Sequence, residues 1–164
     1  MTTANRTRAV EDVAPPAATD TRGEGRSMDR RLVIAIVVFC LLGIADAGYL
    51  TYVHYAGLKV ACLAHGGCET VQASRWSKLD GVPVSLLGLI GYIAILLSLL
   101  IRTELGRAAG FGIALIGFGF SMYLTYREIF TIKAICQWCV GSAVFMTVLV
   151  VLTGIRFLRD EAPG

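Results

Sequence analysis

Charge is what this sequence most lacks. Only 16% of its residues are Asp, Glu, Lys or Arg, against about 25% in an ordinary soluble domain. Hydrophobic residues make up 55%, and the mean hydropathy is +0.67, so the composition points to lipid as the solvent. Missing too are a Gly-rich phosphate loop, a Lys/Arg-rich run and an aromatic-studded basic stretch, which leaves nucleotide and nucleic-acid binding without support. A net charge of +3 requires no acidic partner. The 164 residues leave room for one compact domain.

Residues 1–30 are rich in Thr, Ala, Arg, Glu, Asp, Pro and Gly with no apolar period, which predicts a disordered tail. Four apolar stretches follow within 31–158, at about 32–55, 84–101, 108–126 and 135–157. Each approaches the ~20 residues a helix needs to cross about 30 Å of hydrocarbon. Because that medium offers no water to unpaired backbone groups, each stretch is predicted to be helical. The expected fold is therefore an all-α integral membrane protein, a four-transmembrane-helix bundle with an outward cysteine-bearing loop. Residues 159–164 would form a short second tail. With an even number of spans, one side holds Arg22, Arg26, Arg30, Arg31, Arg102, Arg107, Arg156 and Arg159, and the other Lys59, Arg75, Lys78, Arg127 and Lys133. That excess favours cytoplasmic termini, and places the connections 56–83 and 127–134 outside. A cleavable signal ending near Ala45-Asp46-Ala47 is the rival reading of the first span, although the apolar run continues through Tyr49-Leu50.

Two stretches echo each other. Gly43, Tyr49-Leu50-Thr51-Tyr52, Lys59 and Cys62 match Gly117, Tyr123-Leu124-Thr125-Tyr126, Lys133 and Cys136, a constant offset of 74 residues. Two helix pairs, each delivering cysteines to the same membrane face, would produce this pattern.

Of five cysteines, Cys40 lies inside the first span and reads as a small buried hydrophobe. Cys136-Gln137-Trp138-Cys139 is a CxxC at the start of the last span. Such spacing allows a disulfide, and the motif and the helix start both favour thiolate. Cys62 and Cys68 bracket a Gly-bearing loop. A mobile pair facing a fixed one is what thiol–disulfide exchange requires. A zinc site is the first alternative, but the five residues between Cys62 and Cys68 fall outside the usual spacing of paired ligands. Two permanent disulfides on an oxidising face are the second.

Cys62…Cys68-Glu69-Thr70-Val71, Ser74-Arg75-Trp76, Gly81-Val82-Pro83-Val84-Ser85-Leu86-Leu87-Gly88 and Cys136-Gln137-Trp138-Cys139 together resemble the vitamin K epoxide reductase family, its bacterial branch most closely, over about residues 31–157. The spaced pair precedes the CxxC, the reverse of the order in the DsbB type of quinone-linked oxidase. The resemblance implies a four-helix bundle with a quinone pocket beside the CxxC. Cys62 would exchange with a partner, Cys68 with Cys136, and Cys139 would stand nearest the quinone. Ser74 and Trp76 would lie at the pocket mouth. Ala143 stands where animal members carry tyrosine, which points away from epoxide reduction and towards a quinone of the ubiquinone or menaquinone type. With no fused thioredoxin domain, the implied partner is a separate thioredoxin-fold, DsbA-like protein. No metal is called for.

The expected activity is thus quinone-dependent thiol oxidation at a cytoplasmic (inner) membrane, supporting disulfide formation outside the cytoplasm. The competing classes are a non-enzymatic tetraspan scaffold with two structural disulfides and a reductive thiol carrier, for which Cys40 is a poor inner cysteine. Asp46 is an acid within an apolar span and so a functional suspect, with proton delivery its candidate role. His54 and His65 read as surface residues able to carry protons. Tyr49, Tyr52, Tyr123 and Tyr126 read as an aromatic belt, and Trp76 could serve as a similar anchor.

Overall fold

In a computed structural model describing residues 21–62, 67–79, 81–101 and 103–160, the apolar runs become the helices of one bundle. Helix α1 spans Thr21–Ala56. It begins ten residues inside the segment expected to be a tail, while residues 1–20 of that segment lie outside the described residues. The helix continues unbroken through Ala45–Ala47. Cleavage there would remove Ile36 and Cys40, both completely buried, from the core.

The connection to the second long helix carries short elements of its own. It contains α2 (Gly67–Ala73), a 3-10 turn (Arg75–Ser77), and the two-residue strands β1 (Lys78–Leu79) and β2 (Val82–Pro83). The strands pair antiparallel, with Lys78 opposite Pro83 and Leu79 opposite Val82. Helix α3 (Val84–Ser98) then starts directly after Pro83. Helix α4 (Glu104–Arg127) is capped by Thr103, whose hydroxyl accepts from the Gly106 N–H at 3.3 Å, the usual service of a threonine at that position. It runs into a π-helical turn, Glu128–Ile132. Helix α5 (Gln137–Asp160) completes the chain's described part.

Four long helices close a ring: α1 packs on α3 and α5, and α4 packs on the same two. Ile36, Cys40, Ala47, Tyr92, Ile95, Ala114, Met146 and Leu149 fill the centre. Cys40 sits there fully buried as a free thiol. Lipid is as apolar as leucine, so helix association within it depends on close packing and small residues rather than on hydrophobic burial. Gly43 supplies one such contact, since a Cβ at this position would overlap the Tyr92 ring. Tyr92, with no exposed surface, satisfies its hydroxyl on the Ser142 hydroxyl at 2.8 Å and the Ser142 carbonyl at 3.1 Å. Gly117 meets Met146 in the same manner at 3.0 Å. Thr51 and Thr125 each donate to the carbonyl four residues back, those of Ala47 and Ser121. The two echoing segments therefore share packing roles as well as letters.

Exposed aliphatic side chains band the outside of the helices, among them Ile34, Val38, Leu41, Leu97, Ile116, Val144 and Val151. Patches of this extent would be a liability in water and are ordinary in lipid. Three helical stretches are long and apolar enough to cross a membrane: Met28–Ala56, Glu104–Ile132 and Gln137–Arg159. The expected span 84–101 is shorter as a helix. Its 15 residues reach about 22 Å at 1.5 Å each, because Leu99, Leu100 and Ile101 turn back onto carbonyls three residues earlier.

Candidate functional site

Alternating helix direction brings the end of α1, the start of α3, the end of α4 and the start of α5 to the same end of the bundle, and the cysteine segments collect there. Cys68, Val71 and Cys136 form a small buried cluster, with Cys62, Val60, Ile132, Ala134, Trp138 and Cys139 packed against it. Cys136 has no exposed surface and Cys68 only 1%. Cys62 and Cys68 are joined by a disulfide with Cα atoms 6.2 Å apart, whereas Cys136 and Cys139 are free thiols.

Two contacts hold the Cys62–Cys68 segment over the CxxC. The first is at Gly67, which opens α2 against residue 135. A Cβ on Gly67 would collide with the Ile135 carbonyl oxygen, so glycine serves here for close approach. The second is a clamp on the peptide preceding Cys62. The Tyr49 hydroxyl accepts from the Ala61 N–H at 3.0 Å, and the Trp138 indole N–H donates to the Ala61 carbonyl at 2.8 Å. The two rings lie 4.9 Å apart between centroids, an ordinary tilted aromatic pair. A Lys59–Glu69 ion pair at 3.7 Å, both side chains well exposed, adds little.

The CxxC is positioned by the way α4 ends. Its last turn widens into the π-helical stretch, and Lys133 adopts a left-handed conformation at φ 55°. The Glu128 carbonyl accepts from Lys133 and Ala134 N–H groups. Single π turns inside helices are frequently found at functional sites. Here the widened turn begins with Glu128, 4% exposed. Its carboxylate accepts from the Cys136 N–H at 3.2 Å, one of the donors a helix start leaves unpaired. The Cys139 side chain lies close to the same carboxylate. Hydrogen bonding from Cys139, more than any other influence, lowers the pKa of Cys136, which stands one residue before the α5 span.

Below the CxxC lies a cavity of about 370 Å³ lined by all four long helices and by residues 71–79. Its walls are mainly apolar, including Leu50, Ile113, Ile116, Phe120, Leu124 and Met146. Such a shape and lining suit a small, flat apolar ligand. Of the four paired cysteines only Cys139 lines it.

Ser74 and Trp76 both border this cavity. The Ser74 hydroxyl donates to the Val71 carbonyl at 2.7 Å, so its proton is used in closing the end of α2. Trp76 is covered by the Arg127 guanidinium, 3.9 Å from the ring centroid, a cation–π contact, and Arg127 also donates to the Tyr123 hydroxyl at 3.2 Å. Asp46 reaches the cavity as well. It is 7% exposed, and its Oδ2 has no hydrogen-bond partner among the described residues. His54 packs on Tyr55 and does not line the cavity, and His65 lies outside the described residues. Tyr52, Tyr123 and Tyr126 are exposed, as a belt would be, but Tyr49 belongs to the clamp. Ala143 is buried, and its carbonyl accepts from Thr147.

Sequence reasoning did not single out Glu128 or Arg127. A signal existed for the former: an acid near the end of an apolar run, eight residues before a CxxC, is costly unless it has a function or partner. Compared with protein families, residues 34–154 match the model described as the vitamin K epoxide reductase family.

Proposed function

The chain belongs to the vitamin K epoxide reductase family, and from that premise we propose that it is a thiol:quinone oxidoreductase that reoxidises a separate thioredoxin-fold, DsbA-like partner. In this reading the partner's dithiol reduces the Cys62–Cys68 disulfide through Cys62. Cys68 passes the electron pair to Cys136, and the Cys136–Cys139 pair delivers it to a quinone of the ubiquinone or menaquinone type held as substrate in the cavity. The quinone supplies the two-electron chemistry. The protein aligns the sulfurs, excludes water and shapes the pocket, with Ser74 and Trp76 at its mouth. The observation that carries the reading is the packing of Cys68 on Cys136 while Cys139 alone faces the apolar cavity.

In the membrane arrangement we propose, α3 is the fourth crossing, its short helix extended by the apolar residues Val82–Pro83 and Leu99–Ile101 on either side. Both termini are then cytoplasmic and both cysteine pairs lie on the outer face of the inner membrane. The segment 1–20 and the last residues would be cytoplasmic tails.

Purified protein given a reduced partner and a soluble quinone analogue tests this. Replacing Cys136 or Cys139 with alanine abolishes quinone reduction. Cys62→Ala blocks oxidation of the partner yet preserves quinone reduction by a small dithiol that can reach the inner pair. Unchanged turnover in either CxxC variant refutes the relay, as does equal loss of both activities in Cys62→Ala.

A further inference from the structure

Oxidising two thiols to a disulfide releases two electrons and two protons, and a quinone consumes the same number of each. Electrons can cross from sulfur to a ring in contact with it. Protons need a group that binds and releases them, and the walls of the cavity are mainly apolar. We propose that Glu128 is a catalytic residue, the proton carrier that links the Cys136–Cys139 thiols to the cavity. The inference rests on the functional reading above and deepens it.

Three observations converge on this side chain. Glu128 is almost wholly buried in a region where an uncompensated carboxylate is costly, so its retention calls for a role. It stands beside the reacting pair: its carboxylate accepts from the Cys136 N–H at 3.2 Å, and the Cys139 thiol lies close to it. It also lines the cavity beside Cys139, so one carboxyl group faces both the proton source and the proton's destination. The π turn and the two N–H groups on the Glu128 carbonyl fix its backbone in this place.

The other ionisable groups on the cavity are poorer carriers. Arg127 is held on Trp76 and Tyr123. Asp46 is on α1, and no hydrogen bond ties it to either sulfur. The CxxC pair is the proton source itself.

In the reduced pair Glu128 holds one of the two protons and the Cys139 thiol the other, with Cys136 as the thiolate. The S–S bond between Cys136 and Cys139 forms as the Cys139 S–H bond breaks, and the electron pair enters the quinone. Glu128 gives its proton to one quinone oxygen, then takes the Cys139 proton and passes it to the other, leaving the quinol, the protein disulfide and an ionised Glu128.

Glu128→Gln separates this role from a structural one, because the amide oxygen still accepts from the Cys136 N–H but cannot carry a proton. In full-length protein, turnover from a small dithiol to a soluble quinone should fall about 100-fold, the usual scale of lost acid–base catalysis. Reduction of Cys62–Cys68 by the same dithiol, followed by thiol trapping, should be unchanged. A second measurement needs neither variant nor quinone. The infrared difference between oxidised and reduced wild-type protein should contain a protonated-carboxyl band that shifts in protein grown on isotope-labelled glutamate, which sets Glu128 apart from Asp46. Turnover of Glu128→Gln within threefold of wild type, or no glutamate-dependent band, overturns the proposal. Wild-type protein that reduces no quinone refutes the functional reading instead, and the infrared result still decides whether Glu128 exchanges a proton with the thiols.

Discussion

The sharpest demand on the structure falls on Gly67. Replacing it with alanine puts a methyl group into the Ile135 carbonyl oxygen, and the nearest alternatives are the Ile135 nitrogen at 3.2 Å and carbonyl carbon at 3.3 Å. All three atoms are backbone, so no side-chain rotation relieves the overlap. Either residues 134–136 shift, which the Glu128 bonds to Ala134 and Cys136 oppose, or α2 retreats from the CxxC. Relief requires a retreat of about 1 Å, and a misplacement of that size can cost about 100-fold in rate. Cys68 follows Gly67 directly, so exchange between Cys68 and Cys136 should slow by 10- to 100-fold on that scale. The four-helix core is remote from this contact, so the thermal midpoint in detergent should hardly change. Stopped reactions with an alkylating reagent, resolved by mass, report the redox state of each pair with time after a dithiol is added. Gly67→Ala should accumulate reduced Cys62–Cys68 while the inner pair stays oxidised. Wild-type kinetics in this variant would mean that the two pairs do not communicate through the contact described.

Tyr49→Phe removes the acceptor for the Ala61 N–H, a loss of about 1 kcal/mol. The loosened clamp should raise KM for the partner severalfold and leave kcat with a small dithiol unaltered, and an unchanged KM would remove Tyr49 from any positioning role. Gly43→Ala forces the buried Tyr92 ring off its site and should destabilise the bundle by about 1–3 kcal/mol, the range for overpacked cores, read as a lower thermal midpoint. Equal midpoints would show that α1 and α3 are not packed as closely as described here.

Much of this architecture could be read from the letters because lipid imposes a simple rule: apolar runs near 20 residues form helices. The bundle followed, and Cys62, Cys68, Cys136 and Cys139 do gather at one end of it, beside the cavity. Shortness of α3 was hidden, because hydropathy continues through Leu99–Ile101 while the backbone turns. The start of α1 at Thr21 was hidden for the opposite reason, since polar residues extend a helix beyond the apolar run that nucleates interest in it. Gly67 was legible as a glycine but was read as conferring mobility. Only the neighbouring Ile135 carbonyl reveals it as a spacer. Tyr49 looked like a belt residue because a periodic pattern cannot show that Ala61, twelve residues later, returns to its hydroxyl. Glu128 depends on a π turn, a local change of helical pitch that no residue type announces.

The placement of the CxxC has a consequence for how the molecule can diversify. Cys136 is buried against the loop disulfide, and Cys139 alone opens onto the cavity, so the turn between them works as a bulkhead with one sulfur on each side. In the proposed relay, a protein docking outside and a quinone dissolved in the bilayer never need to meet, fit each other, or be present together. On that reading, substitutions that adapt the loop to a new docking protein would accumulate without retuning the membrane-side chamber, and the chamber would change its occupant without disturbing the docking face.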